Sequence, residues 1–319
     1  MGPTNGINLE RVKYFNLNDF VSRIDLSSEI LEHAYETSNK FDEYIRYLSQ
    51  YKESVIVEHL INSFYNEVEY TNRTERHLIR PQDIKENDVF FDSLSMSHER
   101  IKQLHHFVSG DQDNFSYDYR KTEARVSYFD KLGEEHIFWY GAEPEDIEKF
   151  MRDFISIYQR NSIKDIHRNP FLKSALCHLL FVRIHPFNDG NGRTARLIYD
   201  MKFTKMINNI YGTNLKISPL HISMSIFTNQ PTYVRRIDNT YFDIEHDCND
   251  EINKFFDFLL YMTDDQIGYM MNDNSKEALD NLANYYANLH NETIDERNKE
   301  AASMKVRKLI NSEKKLSDN

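Results

Sequence analysis

Cysteine is scarce in this chain of 319 residues, which has only Cys177 and Cys248. Two cysteines cannot build a disulfide scaffold, and they form no C-x-x-C pair that would suit zinc. Cys177 falls inside an apolar helical stretch, so a reduced, cytoplasmic setting is expected. Basic charge is also short, with 39 Lys and Arg against 51 Asp and Glu and a formal net charge of −12. That balance argues against nucleic-acid binding as the main role but leaves room for a local basic pocket. No apolar run reaches membrane-spanning length, none has the form of a secretory signal, and Gly6 stands where myristoylation prefers Ser or Thr. No internal repeat is present. The length still allows one large or two modest domains with a real core.

What the chain does have is helical periodicity. Residues 1–93 read as a helical N-terminal region, whose best helix runs from about Phe41 to Val68 with Tyr44, Tyr47, Leu48, Tyr51, Val55, Leu60 and Phe64 as apolar positions. Pro81 and the polar stretch 85–88 suggest a loop. Ser95 or Ser97 caps a further helix that carries Ile101, Leu104 and Phe107 and ends at Gly110. Two β-prone runs, 125–129 and 136–140, flank a turn near 131–133 and predict a hairpin. Pro144 opens a helix with acidic residues in its first turn. Helices over about 145–160 and 169–184 follow, and after a connector at 214–220 more helices fill 218–262. From Asp264 the chain turns charged and polar, with a helix near 275–290 and a frayed tail. The fold class is therefore mainly α with one short β-hairpin, divided as 1–93, 94–262 and a C-terminal extension 263–319.

The run from His185 to Arg196 concentrates the chemistry. It reads His185-Pro-Phe-Asn-Asp-Gly-Asn-Gly-Arg-Thr-Ala-Arg196. Apolar residues at helical spacing precede it up to Ile184 and resume at Ala195, so it predicts a helix-loop-helix whose second helix starts near Gly192. The first turn of a helix offers unpaired N–H groups and partial positive charge, and glycines let a phosphate approach the backbone. Arg193 and Arg196 are three apart, one turn along the same face, and suit a phosphate clamp. Asp189 offers a hard oxygen to Mg²⁺, which binds through one or two carboxylates plus substrate phosphates. His185 suits the removal of a proton from an attacking hydroxyl near neutral pH. A base, a metal ligand and a phosphate cradle on one loop are what a nucleotide-transfer site needs.

The string resembles, without departure, the signature H-x-F-x-[DE]-G-N-G-R-x-x-R of Fic-domain proteins. The resemblance extends over about 90–260 and implies a helical bundle with the hairpin as a flap over the site. It implies an enzyme that moves AMP from ATP to a Ser, Thr or Tyr hydroxyl of a protein and releases diphosphate. His185 would be the base and Asp189 the Mg²⁺ ligand. Asn188, Gly190, Asn191, Gly192, Arg193 and Arg196 would hold the phosphates. The flap would register the target by strand addition, with Tyr128 and Tyr140 as contact candidates. Ser223–Tyr233 resembles the family's closing helix, which puts Asn229 and Tyr233 beside the nucleotide. Ser63 and Glu67 keep the spacing of the family's inhibitory [ST]-x-x-x-E-[GN] helix, although Val68 stands where Gly or Asn is expected. Glu67, with Glu69 as the fallback, would pair with Arg196 and block the productive γ-phosphate position. The Gly-Asn-Gly-Arg spelling is that of the transfer type rather than of the Doc-type kinases. ATP and an unnamed protein are the partners implied, and self-modification and self-association are compatible with them. The alternatives are a nucleotide-binding regulator without turnover, transfer of another nucleotide or phosphate, and removal of AMP.

Other polar residues read more plainly. His178 is expected to be a packed helix histidine. His105 and His106 are adjacent, so they cannot form an i, i+4 metal pair and are read as structural or surface residues. Asp243–Asp247 fails the EF-hand pattern and is expected to be a solvated acidic turn. Trp139 and Tyr140 are as much core candidates as target contacts.

Overall fold

A computed structural model describes residues 14–52, 55–56, 59–60, 96–109, 118–129, 132–160, 165–215, 217–246 and 248–291. Among them the chain forms helices α1 (Leu17–Arg23), α2 (Ser28–Leu48) and α3 (His98–Ser109), then strands β1 (Arg125–Phe129) and β2 (Glu135–Tyr140). Helices α4 (Ile147–Gln159), α5 (Asp165–Arg168), α6 (Pro170–Ile184) and α7 (Asn191–Tyr211) follow. The last four are α8 (Ser223–Thr228), α9 (Gln230–His246), α10 (Asp250–Met270) and α11 (Asp273–Asn291). The fold is thus mainly α with one antiparallel hairpin.

Helices α6 and α7 form its centre. Every residue of α6 is buried, as are most of α7, so these helices are covered all round rather than along one stripe. Asn169 caps α6 by accepting from the amides of Phe171 and Leu172, and Pro170 occupies the first turn, where its missing N–H costs nothing. Around this pair, α4 turns in Ile147, Phe150, Met151, Phe154 and Ile157 at helical spacing. Helices α3, α4 and α10 pack on it. A single apolar cluster runs from Leu17 through the central pair to Leu279. The hairpin pairs Arg125 with Tyr140 and Phe129 with Glu135, with a bulge at Val126/Ser127 and Gly133 in a left-handed turn. Trp139 is its buried anchor.

Four local readings are corrected. The helix expected from Phe41 begins at Ser28, where Ser27 accepts from the Ile30 amide, and it ends at Leu48. Tyr47 and Tyr51 keep apolar period across that break, but Tyr51 belongs to a turn and donates its hydroxyl to Asp280. Ser223–Tyr233 is two helices with Asn229 between them. The Asn229 amide closes α8 on Ile226 and its carbonyl receives Thr232 and Tyr233 at the start of α9. Helix α10 continues past Asp264 to Met270, because Ile267 and Met270 stay buried while Asp264 pairs with Lys40 and Asp265 accepts from Ser225. Asp243 is buried rather than solvated: its carboxylate accepts the Ile252 amide at 2.7 Å and the Cys248 thiol, so it caps α10 from outside the helix. Pro144 opens a 3₁₀ turn, Pro144–Asp146, that leads into α4.

Candidate active site

The loop between α6 and α7 starts with a strained residue. His185 has φ 52°, the sole positive φ among described non-glycine residues. The left-handed region is costly for a residue with a Cβ and persists only where its surroundings enforce it. Here the surroundings are explicit. The His185 amide bonds back to Phe181 O, closing α6, and its carbonyl accepts Arg120 Nε at 2.7 Å. Its Nδ1 lies 3.3 Å from Val182 O. A carbonyl can only accept, so Nδ1 carries the hydrogen and Nε2 keeps its lone pair. Burial first, and the Arg120 charge second, pull the imidazole down to about 4, so it is neutral at pH 7.

The rest of the loop is fastened from within. Asn191 spans Phe187: its Oδ1 accepts the Phe187 amide at 2.9 Å and its Nδ2 donates to the Phe187 carbonyl at 2.7 Å. The Phe187 ring is buried and stacks on His105 with centroids 3.7 Å apart. His105 Nε2 donates to Asp189 O at 2.9 Å, and burial holds that imidazole neutral, down to about 4. Gly190 has φ 75°, where a side chain is strained, and a Cβ there would lie a tight 3.3 Å from the His105 ring, so the position favours glycine. Thr194 closes the first turn of α7 onto Gly190 O through both its amide and its hydroxyl.

The two arginines diverge. Arg193 is buried, donates to Val108 O at 2.6 Å and meets the Asp189 carboxylate at 3.2 Å. Arg196 is equally buried and acts on two buried neighbours: burial raises Asp200 well above the carboxylate range against the pull of the Arg196 charge, and burial lowers His178 with that charge adding to it, which places Arg196 among the polar groups under the loop. There, His178 Nε2 lies 2.7 Å from the Tyr233 hydroxyl and Asp200 lies 3.2 Å from His221. His178 is therefore a packed histidine, kept neutral mainly by burial.

The residues left facing solvent are few. Along 185–193, Asn188 is exposed, His185, Asp189 and Gly192 are half-buried, and the others are buried. His185, Asp189 and Gly192 are thus the partly exposed positions of the loop beside Asn188. Asn188 Oδ1 accepts the Thr122 hydroxyl at 3.0 Å, linking the loop to the foot of the hairpin. Tyr140 is half-buried at the end of β2, and the Tyr128 backbone pairs with His136. Tyr233 is buried and Asn229 is bound into the α8–α9 junction, its Nδ2 donating to Ser225 O. Ser63, Glu67 and Glu69 lie outside the described residues.

Asp189 suits a hard cation that keeps most of its ligands from water and phosphate, since its side chain is 41% exposed. Among the described residues, no cluster of three His, Cys, Asp or Glu forms a protein metal cage. Arg120 escaped the sequence reading, since it lies 65 residues from the carbonyl it holds. His105, read as structural or surface, is structural, and the sequence left its partners Phe187 and Asp189 O unseen.

These arrangements form a helix-loop-helix site in the centre of the bundle. Residues 95–201 match the family model described as Fic/DOC family, and this segment of the chain is a Fic domain. It is 32% identical over 114 residues to the protein adenylyltransferase Fic of Nematostella vectensis, a match covering 36% of this chain and 22% of that protein. It is 29% identical over 114 residues to the protein adenylyltransferase fic-1 of Caenorhabditis elegans, covering 34% and 20%. The matched segment thus spans about a fifth of the length of these relatives. The structure of C. elegans Fic-1 (residues 134–508) superposes with a TM-score of 0.53 at 15% identity, covering 79% of this chain and 73% of that one, and shares the fold.

Proposed function

We propose that the protein transfers AMP from ATP to a hydroxyl of a target protein. The observation that carries this reading is the motif loop, in which a neutral imidazole, the partly exposed Asp189 carboxylate and the N-terminus of α7 lie within a few residues of one another. The adenylyltransferase relatives support it. In the reaction, the acceptor oxygen attacks the α-phosphorus, the bond from that phosphorus to the bridging oxygen of the diphosphate breaks, and diphosphate departs. His185 Nε2 takes the hydroxyl proton. Gly190, Asn191 and Gly192 offer the turn and the helix amides on which phosphates rest, and Asn188 stands at their edge. Arg193 and Arg196 supply positive potential from beneath. Asp189 would hold Mg²⁺, whose charge, when bound, neutralises the departing diphosphate. Such catalysis is mostly positioning and charge neutralisation.

One feature favours a regulator that holds nucleotide without turnover. An imidazole held near 4 is a weak base at pH 7. A bound polyphosphate raises it, because nearby negative charge favours the imidazolium, so the enzyme reading stands first. Glu67 is proposed as a brake acting on Arg196. Both cysteines are free thiols, which supports a reducing, cytoplasmic setting, and no described helix is long and apolar enough to cross a membrane.

The test is incubation of Glu67→Gly protein with ATP and cell lysate, read by mass spectrometry. An AMP adduct that falls roughly 10²–10⁴-fold on adding His185→Ala supports the reading. Nucleotide bound tightly with no adduct on any protein supports the regulator instead.

A further inference from the structure

Arg120 is the described residue that joins the hairpin to the motif loop most extensively, and the proposed chemistry gives it no role. It lies just before β1 and is 3% exposed. Its backbone amide donates to Pro186 O at 2.9 Å and its Nε to His185 O at 2.7 Å, so it grips two successive peptides of the loop. Its Nη1 donates to Thr122 O at 2.7 Å and its Nη2 to Ala142 O, the residues flanking β1 and β2. A planar guanidinium has five fixed donors, and here three of its nitrogens face three carbonyls of different segments. The surroundings are shaped to it. Gly141 lies between Arg120 and His185, where a Cβ would come within 2.7 Å of Nη2 and 2.9 Å of the His185 Cβ. The main chain closes the same junction, with Gly141 donating to Ala124 O and Ala142 to Ile184 O.

We propose that Arg120 is a positioning residue for group transfer: it fixes the spacing between the hairpin and His185 and holds the His185 peptide in its left-handed conformation. It touches neither the open face of the loop nor the phosphate-side residues 190–196, so it governs where the acceptor hydroxyl meets the base rather than whether nucleotide binds. Its hydrogen bonds go to carbonyls, it also feels the Glu143 carboxylate, and its positive charge bears on the imidazole. The other charged groups facing His185 are Asp189, which opposes that effect, and Arg183, which adds to it.

This role rests on the transfer reading, so the experiment carries one readout that needs no transfer. Arg120→Met, Arg120→Lys and Gly141→Ala are prepared in the full chain with Glu67→Gly. MgATP affinity is measured by calorimetry, AMP transfer by mass spectrometry and the His185 titration by NMR of the imidazole. In Arg120→Met, nucleotide affinity stays within about twofold while transfer falls roughly 10²-fold, the scale of a misplacement of about 1 Å, and His185 titrates at higher pH. Arg120→Lys keeps the charge but not the fork, so transfer drops while the titration stays near that of the parent. Gly141→Ala leaves Arg120 in the chain and still lowers transfer, without weakening nucleotide binding. The role is overturned if Arg120→Met transfers within twofold of the parent. It is equally overturned if nucleotide binding is lost together with transfer, which marks a general fold defect, or if the Met and Lys variants move His185 alike. Should the parent itself transfer nothing, the transfer reading fails, and an unmoved His185 titration in Arg120→Met separately sinks the role of Arg120.

Discussion

The motif loop and the hairpin sit side by side, and they are held in opposite ways. The loop's fasteners are buried: Asn191 across Phe187, Arg193 on Val108 O, and His105 stacked on Phe187 while bonded to Asp189 O. The hairpin's side-chain ties are mostly at the surface, with Arg125 gripping Glu135 through two nitrogens and Ser127 donating to the same carboxylate. Its inward anchor is Trp139, which has the Arg183 guanidinium 5.4 Å from its ring, with Tyr241 on the same cation at 4.9 Å. Buried hydrogen bonds are costly to break because the partner left behind stays unsatisfied, whereas exposed ion pairs are replaced by water. The contrast suits a transfer enzyme, in which the nucleotide side must be preorganised and the target side must accept a foreign strand.

The largest expected effect comes from removing the loop's apolar plug. Phe187→Ala empties a fully buried site and strands the face of His105. A stability loss of about 3–5 kcal/mol is expected by denaturant unfolding. A loss below about 1 kcal/mol would mean that the loop is not packed as described and would erase its difference from the hairpin. Next comes Asn191→Ala, which leaves the amide and carbonyl of Phe187 without their partner and should cost about 1–3 kcal/mol. Asn191→Asp sharpens this second test, because a carboxylate still accepts from the Phe187 amide but faces the Phe187 carbonyl without a donor. Its stability should fall as well.

Acid should strike the loop side first. His105 and His185 are held down to about 4 and His178 to about 3, all primarily by burial, against an ordinary value of 6.5. Below pH 6.5 the unfolded chain therefore binds protons that the folded chain refuses, and stability falls as pH drops from about 6.5 towards 4. Asp238 works in the opposite sense: burial raises it to about 6 from 3.8, so across that range its protonation favours the folded state on acidification. Burial raises Asp200 in the same sense as Asp238 and lowers His59 and His98 like the other three, so five histidines against two aspartates leave a net acid loss. Urea unfolding at pH 7 and pH 5 measures it, and His105→Gln should flatten the difference. An unchanged difference in that variant would show that His105 is not held neutral by its burial against Phe187.

The fold and much of the site were readable because the relevant contacts are local in sequence or follow period. The hairpin over 125–140, the start of α6 near 169 and the turn at the glycines of the motif each rest on residues within a few positions of one another. Arg120 and His105 were invisible for the opposite reason, since each reaches 65 or 84 residues along the chain to a main-chain carbonyl, and a carbonyl leaves no mark on sequence. Asp243 misled for a related reason. Acidic neighbours in a turn read as solvated, yet this one was buried by α10, whose first amides needed an acceptor that Asn249 does not provide. The two arginines were placed on one helix face by their spacing, but spacing does not fix where long side chains end, and Val108 O draws Arg193 away.

The smallest expected effect tests the hairpin itself. Glu135→Gln removes the charge that holds Arg125 while keeping an acceptor for Ser127. The Arg125 side chain is about half exposed, so the pair contributes little to stability and is screened by salt. Global unfolding should barely move, and amide exchange should quicken over 125–140 while the amides of α6 and α7 keep their protection, because local opening need not pass through the global unfolded state. If exchange instead quickens in α6 and α7 to the same degree, the hairpin and the loop open as one unit. The division between a fixed nucleotide side and a compliant target side would then be wrong, and the Arg120 junction would be the reason, since it ties both ends of the hairpin to His185 and Pro186.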